Sequence, residues 1–133
     1  MESKASNSVY SQNGGSGIWR IKMDPTAVTE QYFASIRARD LDGLIALYAE
    51  DACFTLPNGR EFNGIDAIRD MHRSVFASGG PSPTPLARVA GASSIAVEIE
   101  AGLPDGTVRR TANFYYLNAA GRIQRLSVYM RGS

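Results

Sequence analysis

At 133 residues and 14.4 kDa the chain has the size of one domain, because chains of roughly 150 residues bury about 68–70% of their surface around a single core, and a multidomain machine is excluded. Hydrophobic residues at 44% and charged residues at 20% are ordinary for a soluble globular protein, and no apolar run approaches the roughly 20 residues of a membrane span. Fourteen Lys and Arg against thirteen Asp and Glu leave a formal charge of +1, too even to make nucleic acid the default partner.

Residues 1–17 are rich in Ser, Asn and Gly and bury too little to offset the entropy of ordering, so 1–23 reads as a flexible arm ahead of a domain at 24–133. The arm has no continuous apolar stretch of the about 7–15 residues that a secretory signal needs, and a cytoplasmic location is expected. Ile18, Trp19 and Ile21 offer it a docking point on the body or on a neighbouring subunit. Asp24-Pro25 reads as a helix start, a capping carboxylate followed by a residue whose missing N–H costs nothing in the first turn. The helix runs to about Arg39, with Val28, Tyr32, Phe33 and Ile36 on one stripe. Asp40 caps a second helix, Leu41 to Ala49, apolar over most of its circumference and therefore deeply packed.

Ala52 to Leu56 and Arg60 to Phe62 read as a small hairpin around the Pro57-Asn58-Gly59 turn. Asn63-Gly64 opens a third helix, about Ile65 to Ala77, closed by Gly79-Gly80 and a Pro-rich linker, Pro81 to Pro85. His72 lies in the middle of its apolar stripe of Ile65, Ile68, Val75 and Phe76. Three or four strands follow, about Leu86–Ala90, Ser94–Ala101, Thr107–Leu117 and Ile123–Met130, with turn residues at 104–106 and 118–121. Helices first and an antiparallel meander afterwards predict an α+β class, with three helices on one face of a strongly curved sheet and a small extra hairpin.

That order, and the residues Ala27 to Ala52, AVTEQYFASIRARDLDGLIALYAEDA, followed by P-x-G at 57–59 and G-x-x-A-I-R at Gly64 to Arg69, resemble the ketosteroid isomerase and SnoaL-like polyketide cyclase branch of the nuclear transport factor 2-like superfamily. The resemblance covers residues 24–131 and implies a cone-shaped α+β barrel. It does not imply one activity, since the fold hosts isomerases, cyclases, epoxide hydrolases, dehydratases and proteins without chemistry. In ketosteroid isomerases a carboxylate moves a proton at carbon while a tyrosine and a protonated aspartic acid hold the dienolate oxygen. Matched by position, the tyrosine is Tyr32, the protonated acid is Asn113, a supporting tyrosine of the third helix is His72, and the base falls on Leu56. Asn can still donate a hydrogen bond, but leucine accepts no proton, which argues against that mechanism here.

The resemblance thus brings Tyr32, His72 and Asn113 to the floor of a pocket lined by Phe33, Ile36, Leu56, Phe76, Tyr115, Leu126, Val128 and Met130. An apolar cavity with a few converging polar groups is the default small-molecule site. Three readings follow. In one, an isomerase- or cyclase-type enzyme acts on a hydrophobic carbonyl compound, with His72 as base or acceptor and Tyr32 and Asn113 donating to the oxygen. In another, the pocket binds an apolar molecule without turnover. In the last, the domain is a dimerising scaffold in which His72 is a satisfied core residue, hydrogen-bonded to Tyr32, and Asn113 serves neighbouring groups.

His72 is the only histidine and Cys53 the only cysteine, which excludes an intrachain disulfide and metal sites built on several of either. No cofactor or metal is expected. Glu50-Asp51 point opposite ways in an extended segment, Glu98 and Glu100 share a wet strand face, and the alternation offers no inward carboxylate for an Arg-Asp-Asp set like that of limonene epoxide hydrolases. Arg109, Arg110, Arg122, Arg125 and Arg131 scatter over both sheet faces, and residues 14–17 lack a phosphate-binding lysine, so neither nucleic acid nor a nucleotide is expected, nor a membrane. Phe114, Tyr116 and Tyr129 fall on the face opposite Asn113 and Tyr115, which predicts a two-fold homodimer through the outer sheet.

Overall fold

The computed structural model describes residues 24–132; the expected arm at 1–23, with Ile18, Trp19 and Ile21, lies outside them. Helix α1, Pro25–Ala38, begins where the Asp24 carboxylate accepts from the Ala27 N–H at 2.8 Å, and stops at Arg39 in the left-handed region, φ 55°. Asp40 caps helix α2, Leu41–Ile45, by accepting from the Gly43 N–H at 3.0 Å.

That helix is shorter than its apolar circumference predicts. The Leu47 carbonyl accepts from the Ile123 N–H at 2.8 Å, and the chain becomes strand β1 at Tyr48, running to Thr55. The apolar residues assigned to a helical surface are instead divided between α2, which buries Leu44 and Ile45, and β1, which buries Tyr48 and Ala49. Strand β2, Glu61–Asn63, completes the hairpin, and helix α3 spans Ile65–Ala77 with Ile68 and His72 inward.

Strand β3, Ser82–Ala90, begins within the Pro-rich segment read as a linker. It sits at the end of the sheet and pairs only with β4, Ser94–Gly102, so Pro83 and Pro85 interrupt no central ladder. β5, Val108–Leu117, and β6, Ile123–Met130, finish one six-stranded sheet in the order β2-β1-β6-β5-β4-β3. The hairpin is not a separate appendage. β1 runs parallel to β6, across a register shift between Tyr48 and Cys53, and makes the otherwise antiparallel sheet mixed. In that shifted stretch the Gln124 amide donates to the Asp51 carboxylate at 2.9 Å.

The core lies between the helices and the inner sheet face, where Val28, Phe33, Leu44, Ile68, Val97 and Tyr115 are sealed from solvent. Along β4, Ile95, Val97, Ile99 and Ala101 alternate inward while Glu98 is exposed, the period expected of a half-buried strand. Glu100 lies near Arg110 of β5 at 3.8 Å. No helix of the described residues is long and apolar enough to cross a membrane.

Candidate functional site

A cavity of about 260 Å³ lies between the helices and the inner face of the sheet. Its helical wall follows from 3.6-residue periodicity: Tyr32, Phe33 and Ile36 face it from α1, and Met71, His72 and Val75 from α3. Strand alternation builds the other wall. Phe54 and Leu56 come from β1 and its turn, Ile99 and Ala101 from β4, Arg109, Thr111 and Asn113 from β5, and Val128 from β6. Pro81, Pro83 and Leu103 complete the lining. Among the described residues no carboxylate lies on this lining.

The three polar residues assigned to the floor, Tyr32, His72 and Asn113, all border the cavity and are only 5%, 4% and 6% exposed. Their hydrogen bonding differs from the expected Tyr32–His72 pair. Those two rings meet edge-on with centroids 6.4 Å apart, and the imidazole Nε2 lies 3.0 Å from the hydroxyl of Tyr48 instead. Phe54 also presses edge-on against the imidazole at 5.6 Å. With so much apolar surface around it, His72 is held neutral: burial lowers its pKa from 6.5 to about 4. When Nε2 accepts from Tyr48, the ring hydrogen sits on Nδ1; when Nε2 donates, Nδ1 carries the free lone pair.

Burial also raises the Tyr32 phenol above its ordinary range, an effect partly offset by the neighbouring Tyr48 hydroxyl, and raises Tyr48 and Tyr115 well above theirs. All three phenols are therefore neutral donors at physiological pH. The Asn113 amide donates to the Tyr115 hydroxyl at 3.0 Å, which leaves its second N–H and its oxygen for another partner.

Among the apolar residues expected on the lining, Phe33, Ile36, Leu56 and Val128 are there. Phe76, Tyr115, Leu126 and Met130 are not. Phe76, one turn beyond His72, stacks tilted on the imidazole from behind and is covered by the Arg39 guanidinium 5.4 Å from its ring centroid. Tyr115 is fully buried below the floor, its ring edge-on to Tyr32 and Phe33, and Leu126, opposite it across the strands, is sealed in the same layer. Met130 is 43% exposed at the end of β6, in a separate shallow groove with Leu86, Glu98 and Tyr129.

The sequence reading missed Tyr48, because it was assigned to the packed surface of a longer α2. It also missed Phe54, Met71, Val75, Ile99, Ala101, Thr111 and Arg109. Two-residue steps back from Asn113 and Leu56, and a helical step from His72, reach four of these, Thr111, Arg109, Phe54 and Val75. Pro81, Pro83 and Leu103 carry no such periodic signal. Among the described residues no three His, Cys, Asp or Glu side chains gather as a metal-binding group.

The model of the SnoaL-like domain family matches residues 29–126. Solved structures share the fold at low identity. A protein of unknown function with a cystatin-like fold from Methylobium petroleophilum is 22% identical, with TM-score 0.71 over 80% of this chain and 74% of its own. A putative ketosteroid isomerase from Kribbella flavida is 20% identical, with TM-score 0.71 over 80% and 77%. SalBIII, an epoxide hydrolase/cyclase-like enzyme of pyran ring formation in the polyether salinomycin, is also 20% identical, with TM-score 0.71 over 80% and 89%. With helices closing a cavity on the inner face of a curved six-stranded sheet, and three quarters of its length matched by one family model, this chain belongs to the SnoaL-like domain family of the nuclear transport factor 2-like superfamily.

Proposed function

We propose that the cavity receives an apolar carbonyl compound and assists an isomerase- or cyclase-type step on it. The observation that carries this reading is the convergence of Tyr32, His72 and Asn113 on a mostly apolar cavity. In this reading the Tyr32 hydroxyl and the free Asn113 N–H donate to the carbonyl oxygen, where charge develops on enolisation. His72, in the tautomer that donates from Nε2 to Tyr48, takes the α-proton on Nδ1 and returns it at another carbon. Relatives of similar fold include a putative ketosteroid isomerase and an epoxide hydrolase/cyclase-like enzyme, which supports the reaction class without naming a substrate.

A second reading, binding without turnover, is favoured by one specific observation: the imidazole is already engaged by Tyr48 and is a weak base, and among the described residues no carboxylate on the lining replaces it. A thermal-shift screen with phenols, steroids and aromatic ketones separates both readings from a ligand-free scaffold, because a ligand that binds only the native state raises apparent stability. For any hit, His72→Ala and Tyr32→Phe are expected to weaken binding by more than Glu98→Ala; equal effects remove the site. Deuterium uptake at the ligand's α-carbon then distinguishes turnover from storage.

The outer sheet face is proposed to meet a second copy of the chain. Tyr129 is 60% exposed and forms an edge-on pair with Phe114 at 5.5 Å, and the Arg125 guanidinium covers Tyr116 at 4.4 Å. Glu98 and Glu100 share that face with Arg110 and Arg125, a mixture of signs that a two-fold axis can pair with itself.

A further inference from the structure

Successive inward residues of β5 form a polar ladder along an apolar cavity. Arg109, Thr111 and Asn113 all border it, while their cross-strand partners on β4 are Ala101, Ile99 and Val97. Four residues at about 3.4 Å each separate the Cα atoms of Arg109 and Asn113 by about 14 Å, so the ladder runs from a charged, exposed rim to a buried amide.

Arg109 has no ion-pair partner among the described residues, whose arginine pairs are Arg69–Asp42, Arg73–Asp70 and Arg110–Glu100. One of its nitrogens lies 3.3 Å from the Met130 sulfur, a weak acceptor. The carboxylate that feels its charge is that of Asp105, which is held instead by the Thr107 N–H at 2.9 Å and the Thr107 hydroxyl at 2.6 Å. The other cation touching a rim residue, Arg39, is engaged by the carbonyl oxygens of Ile36, Gly79 and Pro81. Among the described residues, the cavity thus borders one guanidinium that no carboxylate binds, a planar fork suited to a carboxylate.

We propose that the ligand of this pocket is an apolar carboxylic acid bound as its anion. The carboxylate takes the Arg109 fork at the rim, the hydrocarbon body fills the cavity, and an inner oxygen reaches Asn113 and Tyr32. One unpaired cation matches a monoanion, which favours a carboxylate over a phosphate dianion. The cavity volume limits the body to a compact one, near the lower end of the about 300–1,000 Å³ of ligand pockets.

This inference rests on the small-molecule reading of the cavity, and the test separates the two. Calorimetric titration of the full chain with 1-naphthylacetic acid and its neutral amide, at pH 7.5 and low salt, compares one body with and without the charge. The acid is expected to bind about tenfold tighter than the amide, with the difference shrinking at high salt. Arg109→Gln should bring the two affinities to within about twofold without weakening the amide, and Arg109→Lys should keep part of the preference. Equal binding of acid and amide by the unaltered protein, or loss of both ligands in Arg109→Gln with the melting temperature unchanged, overturns the carboxylate assignment and leaves the pocket reading standing. Binding of neither, here and across the aromatic panel, overturns both.

Discussion

His72 shows how one buried side chain ties chemistry to stability. Its pKa is lowered from 6.5 to about 4 by desolvation, so between those values the unfolded chain binds a proton that the folded chain refuses. The sign follows: this contribution is complete above pH 6.5 and is lost as the pH falls toward 4. A shift of that size corresponds to about 3 kcal/mol, and urea unfolding should show stability falling over this interval, with His72→Gln flattening the dependence. An unaltered slope in the variant means that another group titrates there. Tyr48→Phe deletes the partner of Nε2 and should cost about 1–2 kcal/mol, read by the same unfolding curves. The histidine itself was legible from its place on an apolar helical stripe. Its partner was not, because helical and extended assignments of Leu47-Tyr48-Ala49 both bury the tyrosine, and only the bond from Ile123 to Leu47 decides between them.

At the scale of elements, the segment joining α3 to β3 and the start of that strand border the cavity through Pro81 and Pro83. It is pinned by Arg39, which donates to the Gly79 and Pro81 carbonyls at 2.8 and 3.0 Å from the end of α1. Gly79 and Gly80 take positive φ, which favours glycine at both, and a Cβ on Gly80 would also crowd the Arg39 side chain at 3.1 Å and the Val75 carbonyl at 3.2 Å. Arg39→Ala should lower stability by about 1–2 kcal/mol and speed amide exchange over residues 78–82 more than in the β4–β5 ladder. Uniform acceleration across the molecule would show a global rather than a local effect. Of the prolines that make this stretch read as linker, Pro83 and Pro85 belong to an edge strand, where a missing N–H disturbs no inner ladder. Local composition cannot register that distinction, since it depends on which strands lie alongside.

For the whole molecule, helices close one face of the sheet and leave Phe114, Tyr116 and Tyr129 on the other. If a second copy covers that face, as proposed, Tyr129→Glu places a charge in the contact. Sedimentation velocity at micromolar concentration should then show a dimer for the unaltered chain and a monomer for the variant, with melting reduced. A monomer in both would dispose of the proposed interface.

Alternation and helical spacing determined the class, the first and third helices, the inward residues of β4 and β5 and the lone imidazole on an apolar stripe, because each depends on periods carried by neighbours in the chain. Tertiary structure decided the rest. The parallel join of β1 to β6, the Tyr48–His72 bond, the exclusion of Phe76, Tyr115, Leu126 and Met130 from the lining, and the open guanidinium of Arg109 at its rim all bring together residues far apart in sequence. Their distances follow from how a bent sheet and its helices pack, which no local pattern records.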